Sequence, residues 1–269
     1  MSADSTRAAA TRRVAIDHHH DLAPTFEANY ERMAKTRFAN SFTYGRHKVD
    51  VLLERELKNL QTGATVLDVG CGTGAYLRRF HELGFTPLGL EPAAAMIERA
   101  RRDNPGVRIE EGVATAIPFA DQSVDLVSVI EVFRYLDLDD TRRGLTECLR
   151  VLKPNGVLFV TMVNRWALDG FYVLQRIRQL RLGKRYTREH PHCEFFTPQE
   201  VVQELSTAGF EEIQMIGRLF APVRMLYKLN AEFASRIARV AEPLDDLLHE
   251  ARFTTPFAGH LIAIAKRPR

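Results

Sequence analysis

Residues 66–74 read V-L-D-V-G-C-G-T-G, and this stretch decides the fold. Val66, Leu67 and Val69 make a short apolar run that predicts a buried strand, and Gly70, Gly72 and Gly74 then interrupt it at every second position. A strand that passes straight into a glycine-rich turn and a helix is how α/β proteins receive a nucleotide. With no Cβ in the way, backbone N–H groups and the helix N-terminus come close to a ligand. Gly70, Gly72 and Ala75 also satisfy the dinucleotide pattern G-x-G-x-x-[G/A], so the glycines alone leave the ligand open. Asp68, two residues before the first glycine, separates the readings. Its carboxylate suits a cationic ligand and works against a pyrophosphate.

Working outward, strands alternate with helices. Strands are predicted at 65–69, 87–90, 107–110, 124–129 and 157–163, and helices at 45–60, 76–83, 93–102 and 140–151. A turn, Lys153-Pro154-Asn155-Gly156, precedes the fifth strand. This rhythm implies right-handed crossovers and a doubly wound parallel sheet. After residue 164 it breaks, and a helical insertion is expected over about 165–195. It carries seven Arg or Lys between 165 and 188 against the single acid Asp169, interleaved with Trp166, Phe171, Tyr172, Leu174, Ile177 and Leu180. Thr197-Pro198-Gln199-Glu200 restores order as a capping box with proline at the first helical position. Strands follow at 211–216 and 258–266. Between them, about 221–253, a second helical insertion is expected, split at Pro243.

Composition sets the outer limits. The chain has 269 residues, 45% hydrophobic and 26% charged, as expected of one globular domain over residues 25–269. A net charge of +3 gives no reason to expect a nucleic-acid partner. Cys71, Cys148 and Cys193 are too scattered for a disulfide framework or a zinc site, and no metal site is expected. No apolar run is long enough to span a membrane. Residues 1–24 are polar, lack an apolar signal core and read as a disordered tail, so a reducing cytoplasm is the expected location. His18, His19 and His20 belong to that tail and read as solvated.

Two further markers fall in register with the glycine turn. Glu91 ends the second strand, where an acid accepts hydrogen bonds from ribose hydroxyls. Residues 117–127, I-P-F-A-D-Q-S-V-D-L-V, lead into the fourth strand, and L-R-V-L-K-P-N-G follows at 149–156. Taken in order, these motifs resemble the class I S-adenosylmethionine-dependent methyltransferases of the small-molecule branch. The resemblance covers about 49–163, 196–217 and the last strand, but neither insertion nor the N-terminal segment. It implies a seven-stranded sheet, mostly parallel, with an antiparallel last strand. It implies that Asp68, Gly70, Cys71, Gly72 and Gly74 hold the cofactor's methionine end and Glu91 its ribose. Met96 would lie against the adenine, Val113 and Ala114 beside it, and Ile130 and Glu131 along the sulfonium side.

The chain departs from the family pattern twice. Val113 stands where many relatives place an acid for the adenine amino group, and Tyr135 where many place a histidine. Tyrosine, with an ordinary pKa near 10, donates or orients better than it accepts a proton. Tyr135, His190 and His192 are therefore the acceptor-side candidates. The expected reaction is in-line methyl transfer to a small-molecule acceptor, anionic or lipid-linked if the basic insertion attracts it or a membrane surface. The same insertion also suits a solvated lid whose arginine stems cover apolar surface. Residues 222–252 suit either a cap on the pocket or a homodimer interface. A nicotinamide-dependent oxidoreductase, or a non-catalytic protein acting through its insertions, are the alternatives.

Overall fold

The computed structural model of the chain describes residues 3–168, 171–183, 191–219, 223–250 and 252–269. Seven strands form one sheet: β1 (Thr65–Val69), β2 (Thr86–Glu91), β3 (Arg108–Glu111), β4 (Val124–Val129), β5 (Leu152–Val163), β6 (Glu211–Arg218) and β7 (His260–Lys266). Their order is β3-β2-β1-β4-β5-β7-β6, with only β7 antiparallel to its neighbours. The doubly wound sheet with its antiparallel last strand is thus as the sequence predicts. Val66 pairs with Pro87 on one side and Leu126 on the other, which makes β1 the centre of the sheet. Strand order reverses between β1 and β4, and in such sheets the ligand crevice lies beyond the carboxyl ends at that point.

Both faces of the sheet are covered, which is why its central strands are apolar on both sides. Helix α2 (Ser41–Leu57) lays Val49, Leu52, Leu53 and Leu57 against Val66, Leu126, Phe159 and Ile262. Each fully buried leucine contributes about 1.5–3 kcal/mol. Helices α3 (Ala75–Glu82) and α4 (Ala94–Asp103) follow β1 and β2. On the other face, α5 (Leu138–Val151) and the later α7 (Pro198–Ala208) bury Leu145, Cys148, Val201 and Leu205 against Leu67, Val127 and Val160. The capping box expected at Thr197 is present, with Glu200 and Thr197 exchanging side chain-to-backbone bonds. The 153–156 turn lies within β5, where its register with β4 shifts.

Two segments differ from expectation. The N-terminal residues form a helix, α1 (Ala3–Lys35), rather than a structureless tail. It is held because Ile16, Ala23 and Phe26 pack on Ala93, Ala95 and Met96 of the α4 region. In the second insertion, α8 (Val223–Leu229) and α9 (Ala231–Glu250) break at Asn230, whose side chain caps the backbone N–H of Phe233. Helix α9 runs on through Pro243. A proline inside a helix costs about 3 kcal/mol or more, and ion pairs to acids on either side of it flank this one. Lys48 reaches Asp246 at 2.6 Å and Glu242 at 3.3 Å, and Arg218 reaches Asp246 at 2.9 Å. In the first insertion the described helix, α6 (Phe171–Leu182), buries none of its residues.

Candidate active site

The carboxyl ends of β1, β2 and β4 open into one cavity of about 270 Å³. Asp68, Gly70, Cys71, Gly72, Glu91, Met96, Val113, Ala114, Glu131 and Tyr135 all line it. Two of the predicted residues do not. Gly74 caps α3 instead: a Cβ there would come within 2.5 Å of Asn104 Nδ2 and 3.1 Å of Ala100, so this glycine serves helix packing. His192 lies away from the lining, with Nε2 2.9 Å from Glu194 Oε2. His190 is outside the described residues.

The glycine turn is shaped by contact with the strand-four loop. Gly70 has φ +75°, and a Cβ on it would stand 2.3 Å from Val132 Cγ2. Any side chain there meets both backbone strain and a steric block. The N–H groups of Gly70 and Cys71 both bond the carbonyl of Leu90, at 2.7 and 3.0 Å, which binds the turn to β2. The Cys71 thiol packs among Leu77, Ile97 and Ile109, and burial pushes its pKa up, so it is a filler.

Two carboxylates dominate the inner wall. Asp68 is 2% exposed; its Oδ1 accepts from Ser128 Oγ at 2.7 Å, while the buried Oδ2 has no hydrogen-bond partner. Burial pushes the Asp68 pKa up to about 7, against the Ser128 bond and the charge of Arg46. Glu91, 5% exposed, accepts from Gly72 N and Ala93 N at 3.0 Å each. Its pKa is likewise pushed up to about 7 by burial, with those two N–H groups opposing. An orphaned buried acceptor costs about 1–3 kcal/mol. A ligand that brings a cation to Asp68 and hydroxyls to Glu91 removes that penalty.

Facing them is Arg46 of α2, a residue that sequence reasoning passed over. Its guanidinium stands over Phe42 at 5.2 Å, Tyr76 at 5.6 Å and Tyr30 at 6.0 Å. Burial acts against its charge, but Tyr30, Tyr76, Glu131 and Asp50 together raise its pKa. Among the described residues it makes no ion pair. Asp68 and Arg46 thus offer opposite charges to opposite ends of a zwitterion. The available signal was weak: one arginine on the half-buried side of an amphipathic helix.

The outer wall is α1. Arg12, Ala15, Ile16, His19, Phe26 and Tyr30 recur at helical spacing and line the cavity along one face. Arg12 pairs with the buried Asp140 at the start of α5, Arg99 Nε binds Glu27 at 3.1 Å, and Asn40 Nδ2 donates to Asn29 at 2.9 Å. His19 stacks on Phe26 at 5.7 Å and meets Tyr135 edge-on at 4.7 Å. Of the three histidines expected in solvent, this one is in the cavity wall.

At the end of β4, Glu131 adopts φ +63°, a conformation that costs a side-chain-bearing residue about 1–3 kcal/mol. It is held there by Thr161 Oγ1, which accepts its backbone N–H at 2.8 Å. Its carboxylate pairs with Arg134 at 2.6 Å and with His260 at 3.3 Å. Burial would raise its pKa, but the charges of His260, Arg134 and Arg46 outweigh it and hold it well below the usual carboxylate range. Tyr135 is kept neutral, its pKa raised by burial. The site therefore pairs an ionised Glu131 with two inner carboxylates that titrate near neutrality.

Comparisons with known proteins bear on the fold and the family. A family model described as a methyltransferase domain matches residues 67–160. A ubiquinone biosynthesis O-methyltransferase of Azorhizobium caulinodans is 28% identical over 194 residues, covering 70% of this chain and 75% of that protein. A probable S-adenosylmethionine-dependent methyltransferase of Mycolicibacterium smegmatis is 29% identical over 177 residues, 66% of this chain and 62% of that one. Among solved structures, a methyltransferase of Thermotoga maritima superposes with a TM-score of 0.56 at 19% identity, covering 92% of this chain and 97% of that one. At that identity the likeness concerns the fold.

Proposed function

Given that the chain is a class I S-adenosylmethionine-dependent methyltransferase, we propose that it methylates a hydroxyl on a small aromatic acceptor held between Glu131 and α1. The observation that carries this reading is the single cavity. Its inner half complements a zwitterion and a ribose, and its outer half is walled by Phe26, Tyr30, Phe42 and Tyr135. Aromatic walls favour a flat ring through offset or edge-on packing. The naming of a relative as an O-methyltransferase points to the same class of acceptor.

The residues fit the cofactor. Asp68 Oδ2 would accept from its ammonium and Arg46 would face its carboxylate. Glu91, which spends one lone pair per oxygen on Gly72 and Ala93, retains others for the ribose hydroxyls. Met96, buried between α4 and α1, supplies an apolar face for the adenine. When bound, S-adenosylmethionine supplies a methyl group already activated on a sulfonium. The protein's task is then alignment and exclusion of water. Tyr135, kept neutral, would orient the acceptor, and α1 would close the cavity over it.

A direct test incubates the protein with isotopically labelled S-adenosylmethionine and a set of simple phenols and catechols. Label in an ether product supports the reading. Tight binding of S-adenosylhomocysteine with label found only in amines would replace it with N-methylation.

A second reading concerns how the acceptor arrives. Val173, Ile177, Leu180 and Leu182 of α6 are 58%, 41%, 80% and 42% exposed, with Arg176, Arg178 and Arg181 beside them. Apolar and cationic groups exposed together suit peripheral contact with an anionic lipid surface. No helix among the described residues is long and apolar enough to cross a membrane. Cosedimentation with vesicles rich in acidic lipid at low salt tests the contact. Failure to sediment removes it.

A further inference from the structure

We propose that His19, on the N-terminal helix, is the general base that takes the proton from the acceptor hydroxyl. The inference rests on the methyl-transfer reading and adds to it a residue on a segment that the family resemblance does not reach.

The helix geometry fixes the tautomer of His19. His19 Nδ1 lies 2.7 Å from the carbonyl oxygen of Ala15, one turn earlier in α1. A carbonyl can only accept, so Nδ1 carries the hydrogen. In the neutral ring Nε2 is then left with a lone pair and no proton. His19 lines the cavity, and its ring plane is fixed by stacking on Phe26 and by the edge of Tyr135. A base must have its accepting atom free and its orientation set, and both conditions are met here.

Charge also favours the neutral ring. The pKa of His19 is lowered by burial, with His18 and Arg134 adding to the effect and the bond to Ala15 opposing it. The groups that face it can be named element by element. Arg134 and Tyr135 come from the turn after β4, and His18 is on its own helix. Arg12, further along the cavity face of α1, is paired with Asp140. At the start of α4, Ala93 and Met96 pack on α1 and bring no charge, while Arg99 and Arg102 further along are paired with Glu27; α2, which also packs on α1, brings Arg46 over Tyr30. Arg134 is itself neutralised by Glu131. An imidazolium formed during the reaction would thus find a partly balanced field rather than an isolated cation.

The other candidates are weaker. Tyr135 is held neutral and is a donor at pH 7. Glu131 is already committed to Arg134 and His260, and its carboxylate is held too acidic to take a hydroxyl proton. His192 lies off the cavity. The proton balance closes through His19. The hydroxyl oxygen forms its bond to the methyl carbon, the sulfur keeps the electron pair of the bond that breaks, and the hydroxyl proton passes to Nε2. The imidazolium then releases it to solvent.

The test reads the ring before it reads the rate. The full chain, labelled with ¹⁵N-histidine and saturated with S-adenosylhomocysteine, is followed by NMR, with His19→Gln used to assign the signal. The expected result is a neutral ring at pH 7, protonated on Nδ1, titrating below pH 6.5 and shifting at Nε2 when catechol is added. A charged ring at pH 7, a proton on Nε2, or a ring indifferent to catechol overturns the proposal. With catechol as acceptor, His19→Gln should lower kcat about 100-fold or more. It should leave S-adenosylhomocysteine affinity within about threefold of the native protein and abolish the acid limb of the kcat profile measured at saturating S-adenosylmethionine, where ionisation of Asp68 and Glu91 no longer limits binding. A native-like kcat and pH profile in that variant overturns the proposal as well. If the native protein methylates no hydroxyl at all, the functional reading fails separately, and the NMR result still decides the state of His19.

Discussion

The two walls of the cavity are specified in different ways. The inner wall is built from the ends of three adjacent parallel strands: Asp68 near the end of β1, Glu91 at the end of β2 and Glu131 just past β4. Strand register fixes their relative positions, since Asp68 pairs across to Gly89 on one side and Ser128 on the other. The outer wall is a single helix with few tight constraints, joined to the body by side-chain ion pairs and an apolar seam. Backbone pairing leaves little freedom to the inner residues. The outer ones depend on where α1 docks. Substitutions on the inner wall should therefore act on folding and cofactor affinity, and those on the outer wall on turnover and opening.

The largest expected effect is at Gly70. Gly70→Ala adds a methyl 2.3 Å from Val132 in a left-handed backbone conformation. Strain and overpacking together should cost about 2–5 kcal/mol. Thermal denaturation checks this, and an unchanged midpoint would mean that the turn is looser than described. Next is Glu91→Ala, which removes a charged acceptor worth about 1.5–3 kcal/mol. The dissociation constant for S-adenosylhomocysteine should rise tenfold or more, and an unchanged value would take Glu91 out of the ribose site. Arg46→Met should weaken the same ligand comparably, without the loss of fold expected at Gly70.

A pH effect follows from the inner carboxylates. With pKa values near 7, Asp68 and Glu91 are largely protonated in the ligand-free protein at pH 6. A ligand that brings an ammonium and ribose hydroxyls favours their ionised forms, so binding should release protons near pH 6–7 and tighten as pH rises to about 8. The sign for stability is opposite. Both folded pKa values lie above the ordinary values of 3.8 and 4.5, so the folded chain binds more protons between about pH 4 and 7. The contribution of these two groups to stability then falls as pH rises through that window. The smallest effect is expected on the outer wall. Glu27→Ala removes the partly exposed ion pairs to Arg99 and Arg102 and should cost about 0–1 kcal/mol. It should nonetheless speed hydrogen exchange in α1, while β1 keeps its protection.

Most of the sheet was legible because its signals are local. Thr65–Val69 and Val124–Val129 are short apolar runs with sharp ends, and each strand lies where the pattern puts it. The inner wall of the cavity was legible for the same reason, since glycines and acids at strand ends form a short-range code. Gly74 was in the motif, yet its role is packing against Ala100, and only the tertiary neighbour reveals that. Helix α1 was not legible. Its cavity face mixes Ile16 and Phe26 with Arg12, Ala15, His19 and Tyr30, which blurs the hydrophobic periodicity, and its partners lie at Ala93, Tyr135 and Asp140, far along the chain. Pro243 misled for a related reason. Local propensity predicts a break there, whereas the helix continues through it, with distant Lys48 and Arg218 paired to acids on either side.

Calorimetric titration with S-adenosylhomocysteine at pH 6.5, repeated in buffers of different ionisation enthalpy, tests the central claim most directly. The account predicts micromolar binding, with heats that differ between buffers because Asp68 and Glu91 release protons. Absence of binding at millimolar ligand, or binding with no proton release, would contradict it.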